Sequence, residues 1–372
     1  MSAAVSIIAF ILIIGLLIFF HEFGHFLLAK KNKVGVTEFS IGMGPKMFSK
    51  VKNGTNFVVR WIPFGGYCMM LGEESFAPDP ALLGEQVDMD EEHAYSKKSV
   101  WARMSITLAG PVFNFVLAIL LSILLVALIG VTTTKVGGIV EGYPAEDAGL
   151  QAGDEILKLN RTRVHQFKDI QMYLTLHEGE AIDVTYRRNG VVDTTRIEPK
   201  LDADGKTYMI GIYASARTKD LNVLEVFKYG FYDFGYNTGA VIKSLGLLFR
   251  GKVGLNELSG PVGMAGMVND LVEDVREDTK EESAWVTVYW VFINLLSFTA
   301  LISANLGIMN LLPIPGLDGG KFLFLLVEAV IRRPVPKKME GIITIAGFVL
   351  LLGLMIVVFF NDIIKVFFRR TP

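Results

Sequence analysis

The stretch FFHEFGHFLLAKK, Phe19–Lys31, places two histidines and a glutamate inside a run that otherwise reads as membrane helix. A charge at bilayer depth costs at least ~2.5–3.5 kcal/mol on insertion scales, so ionisable groups there mark functional sites by default. Residues four apart sit one turn apart on a single helix face. His21 and His25 therefore offer two imidazoles to one metal ion, and Glu22 lies at the flank of that face. This is the H-E-x-x-H arrangement of zinc hydrolases. Zinc brings the pKa of water toward neutrality, and Glu22 is placed to take the proton as general base.

The surrounding composition agrees with a membrane setting. The chain has 372 residues, is 51% hydrophobic and has a mean hydropathy of +0.43. Its apolar residues gather into the runs Val5–Ala29, Ile106–Val131, Trp285–Leu312 and Gly341–Phe360. Each is long enough to cross the roughly 30 Å hydrocarbon core as a helix. The first run has neither a basic leader nor a small-residue cleavage site, so it reads as a retained span rather than a signal peptide. Phe322–Ile331 is too short to cross and reads as half-buried or re-entrant. The net charge of −2 says little about partners. Cys68 is the single cysteine, which excludes an internal disulfide. Lys30, Lys31, Lys33, Lys97, Lys98, Arg103, Arg332, Arg333, Lys337 and Lys338 flank the spans, and the positive-inside rule puts their loops in the cytoplasm. The segment between spans two and three is then outside. Arg369 and Arg370 run against that placement of the C-terminus.

Between spans one and two, Val34–Glu74 is rich in Gly, Val and aromatics. Asn53-Gly54 is a two-residue turn signal, which predicts a hairpin with Phe57–Trp61 as one strand. Ser75–Glu92 is acidic and reads as a loop. Residues 135–215 alternate strand and helix signals. The run from Pro144-Ala145 to Ala148-Gly149-Leu150, then Gly153-Asp154 and Ile156-Leu157, resembles a bacterial PDZ domain. Phe227–Phe249 reads as an amphipathic helix suited to a membrane surface, and LSGPVGMAGM (258–267) as a Gly-rich turn before a short helix. The expected organisation is a membrane part at 1–134, a PDZ domain at 135–215, an extracytoplasmic amphipathic helical region at 216–284, and a second membrane part at 285–372. The fold class is membrane α-helical, with four transmembrane helices, an inserted α/β-type PDZ domain and a membrane-associated β-hairpin.

A catalytic zinc site needs a third protein ligand and one open position. NLLPIPGLDGGKF (310–322) supplies a candidate in Asp318. Pro313 and Pro315 break the third span, and irregular backbone at that depth is tolerated only inside protein or along a watery cavity. By rise per residue His21 lies roughly 26 Å along its helix, near the same inner face. Glu328 is the alternative third ligand, and an N-cap is the alternative role for Asp318. Asn305 and Asn310, near the break, are candidates for holding an extended substrate or an oxyanion, and Asn294 for bonding between helices. His93, His165 and His177 read as surface residues.

HEFGH at 21–25, NLLPIPGLDGG at 310–320, the GMGP…PFGGY hairpin, WARMSITLAGPVFNF at 101–115 and the inserted PDZ domain together resemble the site-2 protease family. Within it they resemble the bacterial intramembrane zinc metalloproteases that cleave anti-sigma factors. The resemblance covers nearly the whole chain and departs in having one PDZ domain rather than two. It implies one zinc ion held by His21, His25 and Asp318, Glu22 as general base, and Asn305 and Asn310 at the substrate. It also implies that the hairpin guides the substrate strand, here through Val58, Val59, Arg60 and Trp61 as an open edge. The expected partners are transmembrane protein substrates and membrane lipid, with no nucleic acid. The expected place is the bacterial inner membrane, the active site near the cytoplasm and the PDZ domain outside, where it screens substrates already cut once. A PDZ scaffold that stores or senses zinc and a zinc transporter are the rival classes. A transporter needs ligands spread along a pore, and the sequence has them at one depth.

Overall fold

The computed structural model describes residues 3–73, 91–202, 204–205, 207–254 and 257–368. Most of the acidic Ser75–Glu92 segment, and Arg369 and Arg370, lie outside the described residues. The chain divides into two compact units, one made of 1–118 with 241–372 and the other of 119–240.

The elements run α1 (Ala3–Lys31), β1 (Val36–Lys52), β2 (Thr55–Met70), α2 (Val100–Ile129), β3 (Val136–Ile139), α3 (Pro144–Asp147), β4 (Glu155–Leu159), β5 (Thr162–Arg163), α4 (Phe167–Leu176), β6 (Ile182–Arg188) and β7 (Val191–Ile197). Then follow β8 (Lys200–Leu201), β9 (Tyr208–Met209), β10 (Ile212–Ala214), α5 (Val223–Phe249), α6 (Pro261–Asp278), α7 (Ala284–Leu311), α8 (Asp318–Ile331) and α9 (Lys337–Phe368). Among the described residues four helices are long and apolar enough to cross a membrane: α1, α2, α7 and α9. They correspond to the expected runs. Large apolar side chains such as Leu12, Leu350 and Phe360 stay exposed along them, which suits lipid rather than water as the neighbour.

In the first unit, α7 ends at Leu311, ahead of Pro313, where a proline cannot continue a helix. The chain turns through Gly316, whose φ of 98° favours a residue without Cβ, and restarts as α8. Leu317 is the N-cap, so Asp318 is the first helical residue and its carboxylate is not used as a cap. Side chains at Gly319 and Gly320 would run into the main chain of Leu311, Leu312 and Ile314. These glycines let α8 fold back onto the end of α7. Asn294, expected to bond between helices, instead donates to the Trp290 carbonyl of its own helix at 2.9 Å.

The Asn53-Gly54 turn is present, with φ of 50° and 72°, but the hairpin is larger than expected. β1 and β2 each bend back, β1 at Gly42 and Gly44 and β2 at Gly65, all with positive φ. The two strands thus make four antiparallel segments in the order 66–70, 36–41, 55–60, 46–52. Val58 pairs with Ser40 on one side and Ser49 on the other, and Val59 with Ile41 and Phe48. The expected open edge at Val58–Trp61 is therefore an error for its strand residues. The segment is interior, Val58 is buried, and Arg60 is bonded to Glu38, Ser40, Tyr67 and the Gly44 carbonyl. The Asn53-Gly54 turn accounts for one reversal of the chain, while the glycine bends create two more rows. The edge rows are 66–70 and 46–52, and of the two it is 66–70 that lines the cavity beside His21 and Glu22. Met43, Met47, Phe48, Val51, Trp61 and Ile62 are exposed on the hairpin, a run of large apolar side chains of the kind that marks an interaction surface.

In the second unit a four-stranded sheet, β5-β4-β6-β7, lies with a β10-β3 pair around one core. Ile156, Leu159, Ile170, Ile182, Val184, Ile197 and Ile210 form its centre. β6 alternates buried Ile182, Val184 and Tyr186 with outward Asp183, Thr185 and Arg187, as a half-buried strand must. The Asn189-Gly190 turn has both residues at positive φ, 49° and 85°. Asp154, in the Gly153-Asp154 turn, is 1% exposed and takes two 2.7 Å bonds from Arg188 and one from the Gln151 amide. The Arg188 bonds outweigh burial and hold the carboxyl below the usual carboxylate range. A depressed folded pKa gives stability that is present above the unfolded value and is lost as pH falls through the folded one. Asp154→Asn should therefore lower the melting temperature of the second unit at neutral pH. It should also flatten the loss of stability below about pH 4, read by thermal melts across acid pH.

Candidate metal centre

The site begins where α1 and α2 cross. A side chain at Gly24, inside HEFGH, would collide with the Ala109 main chain, and one at Gly110 would collide with the His25 and His21 rings. Two glycines thus let the helices approach until the imidazoles rest on α2. His25 Nδ1 lies 2.9 Å from the Ile106 carbonyl. A carbonyl only accepts, so Nδ1 carries the proton and Nε2 keeps its lone pair.

His21 Nε2 is 3.1 Å from Asp318 Oδ2, His25 Nε2 is 3.4 Å from the same oxygen, and the two Nε2 atoms are 3.3 Å apart. A tetrahedral ion with bonds of about 2.0–2.1 Å requires ligand atoms about 3.3 Å from each other. The three atoms form one face of that tetrahedron. Asp318 Oδ2 is buried and takes no hydrogen bond. An unsatisfied carboxylate oxygen facing two lone pairs is costly unless a cation joins them. The donor set of two imidazoles and one carboxylate fits zinc, with the fourth position left for water or substrate.

Asn114, four residues beyond Gly110, sits against the outer nitrogen of His21. Its amide nitrogen is 3.0 Å from His21 Nδ1, and its Oδ1 is buried without a partner. With a metal on Nε2, Nδ1 is protonated and needs an acceptor. Turning the amide by half a rotation places Oδ1 there and satisfies both atoms; the two orientations have the same shape. The Asn114 carbonyl is in turn held by Ser303 of α7 at 2.7 Å.

Glu22 is 9% exposed and faces the same cavity, of about 190 Å³, as the three ligands. The opposite wall is the outer hairpin segment, with Gly66, Tyr67, Cys68 and Met70. The Cys68 main chain bonds the Glu22 carboxyl, and a Cβ at Gly66 would press on Glu22 Cγ and the Ser40 carbonyl. Lys321, one turn after Asp318, pairs with Glu73 beyond the end of β2 and lies 4.5 Å from the Tyr95 ring. This pair ties α8 to the hairpin. Glu328 is committed to Arg103 through two bonds of 2.5 and 3.1 Å, so the alternative third ligand is excluded by its ion pair. Asn305 and Asn310 are half-buried on α7 and are absent from the lining of this cavity. Sequence reasoning missed Asn114, Gly110 and Gly66. A lone Asn one turn after a glycine in a charge-free span was the available signal for the first two.

The family model described as peptidase family M50 matches residues 9–354. A protein of Clostridium acetobutylicum with the provisional name zinc metalloprotease is 36% identical over 96% of this chain and 97% of its own. The zinc metalloprotease RasP of Geobacillus kaustophilus is 31% identical over 97% of this chain and 98% of its own, and RasP of Bacillus licheniformis is 30% identical over 97% and 99%. Among solved structures, the PDZ domain of an SdrC-like protein of Listeria monocytogenes covers 22% of this chain and 87% of its own, at 22% identity and a TM-score of 0.21. That score is too low to bear on the fold.

Asn114→Ala should lower zinc affinity about 10–100-fold, the usual cost of losing an outer partner of a ligating histidine. Asn114→Asp, which keeps an acceptor, should retain most of it. Gly110→Val should abolish binding while helical circular dichroism is unchanged. Competition with a chelating dye measures all three.

Proposed function

Because the chain belongs to peptidase family M50, the site-2 protease family, we propose that this zinc metalloprotease is an intramembrane endopeptidase acting on membrane-spanning segments. The observation that carries the reading is the set of three ligand atoms, 3.1–3.4 Å apart, two of them on a helix long enough to span the bilayer and the third at the start of α8, with Glu22 in the same cavity. His21, His25 and Asp318 hold one zinc ion. Bound there, zinc supplies a Lewis acid for the peptide carbonyl and lowers the pKa of water toward neutrality. Glu22 takes a proton from water and returns it to the leaving amine.

A helical substrate must first unwind, because its carbonyls are bonded within itself. The 66–70 edge faces the cavity and has no β partner on that side among the described residues. It offers main-chain groups to an unwound strand beside the metal, as in strand addition. This moves the guiding role from Val58–Trp61 to Gly66–Met70. Asn305 and Asn310 hold the substrate farther along its path. Substrates are single-pass proteins of the anti-sigma-factor kind, or signal-peptide remnants, already shortened by an outer cut. The Lys- and Arg-rich loops place the metal centre near the cytoplasm. Residues 135–215 form an extracytoplasmic PDZ domain that screens by size, supported by the Pro144–Leu157 run and its strand-helix order.

Glu22→Gln should keep its zinc and slow cleavage of a membrane-spanning substrate by about 10²–10⁴-fold. A zinc-storing scaffold would be indifferent to the change. In that slow variant, oxidation with a substrate bearing one cysteine in its membrane segment should give a disulfide adduct through Cys68. Cys68→Ser should give none. Adducts through a cysteine placed at Val59 in the Cys68→Ser background would return the guiding role to the interior row.

A further inference from the structure

The second unit holds a cleft of about 710 Å³ that the proteolytic reading does not use. Its walls include Lys135, Lys158, Arg163, Arg187 and Lys228, against one carboxylate, Glu155. Arg187 already pairs with Glu155 at 2.9 Å. Lys135, Lys158, Arg163 and Lys228 are exposed and have no ion pair among the described residues. The chain as a whole carries a net charge of −2, so this concentration of cations is local. Four unneutralised cations facing one concavity repel each other and attract an anion.

The position of the cleft identifies the source of that anion. The apolar span of α2 ends at Ile129, and Thr133, Thr134 and Lys135 of the cleft wall follow within six residues. At about 3.3 Å per residue they lie no more than about 20 Å beyond it. The opposite wall is α5. A side chain at Gly230 of α5 would run into Ile123 of α2, so this turn of α5 packs against the end of a membrane span. Ser122 of α2 also donates to Asp233 of α5 at 2.8 Å. Lys228, Tyr229 and Tyr232, within one turn of Gly230, are therefore level with the membrane boundary. Tyr and Lys are the residues that anchor at that level, the ring at the headgroups and the ammonium reaching outward. Lys228 lies 5.4 Å from the Tyr229 ring and 5.9 Å from that of Tyr232, and His165 stacks on Tyr232 at 3.9 Å. Phe227 and Phe231, four apart on the same helix, are exposed and present apolar surface next to the basic residues.

We propose that this cleft binds the phosphate headgroup of an anionic membrane lipid, with Lys135, Lys158, Arg163 and Lys228 as its cations and Tyr229 and Tyr232 as the wall beside the glycerol. The phenylalanines of α5 enter the acyl region. The lipid then seats the 119–240 unit on the membrane surface.

The test uses the full chain in nanodiscs of phosphatidylcholine containing a minor fraction of phosphatidylglycerol, released into native mass spectrometry. The wild type should retain phosphatidylglycerol in preference to phosphatidylcholine. The double variant Lys158→Glu/Arg163→Glu should weaken that retention at least about ten-fold. Lys135→Gln/Lys228→Gln, at the exit of α2 and on α5, should weaken it too. Lys158→Arg should keep it, and unchanged thermal melting of the variants excludes unfolding as the cause. Equal retention of the two lipids, or retention insensitive to the charge reversal, overturns the proposal. Displacement of the lipid by inorganic phosphate at comparable concentration also overturns it, since the ligand would then be a soluble phosphate compound.

Discussion

Three ligand atoms meeting at 3.1–3.4 Å, two on the long apolar helix α1 and one at the start of α8, are the constraint to which the first unit is built. Two imidazoles and a carboxylate at that depth are expensive unless a cation binds them together. Each irregularity nearby removes an obstacle to their meeting. Gly24 and Gly110 bring α1 onto α2. The Pro313–Gly316 break stops α7 and lets α8 start with Asp318. Gly319 and Gly320 let α8 fold back. The backbone is irregular where a regular helix would have kept the ligands apart.

The same crossing organises what surrounds the metal. His25 is oriented by the Ile106 carbonyl and His21 by Asn114, and Asn114 is held by Ser303. Lys321 with Glu73, and Arg103 with Glu328, fix α8 to the hairpin end and to the start of α2. These bonds hold the third ligand and the open sheet edge on opposite sides of one small cavity. A metalloprotease acting on an unwound segment requires that pairing of metal and strand edge. The metal-ligating side chains thus lie in the first unit and the basic cleft in the unit at 119–240.

What was legible in the sequence followed from local rules. HEFGH put His21, Glu22 and His25 at one place through helix periodicity, and the proline break pointed to Asp318, which the fold brings to them. The Asn53-Gly54 and Asn189-Gly190 turns, the four spans and the strand-helix order of 135–215 came from turn chemistry and hydropathy. The rest depended on tertiary approach. Which hairpin rows are interior and which row meets the cavity was decided by bends at Gly42, Gly44 and Gly65, and glycines in an apolar-aromatic run do not announce the direction of a bend. Asn114 is only an isolated polar residue until α1 is laid against α2. Asn294 looked like interhelical glue and bonds its own helix, a choice made by rotamer. The basic cleft gathers residues from α2's exit, three strands or turns and α5, which no single window contains.

Zinc-edge X-ray absorption of the purified, catalytically slow Glu22→Gln protein tests the central claim most directly. The spectrum should show only nitrogen and oxygen neighbours at about 2.0–2.1 Å, with the multiple scattering of two imidazoles. Asp318→Ala should lose the ion. Cys68 lines the same cavity, so a different centre is chemically available. A sulfur shell at about 2.3 Å, or a full complement of zinc in Asp318→Ala, would contradict the ligand set on which the whole reading rests.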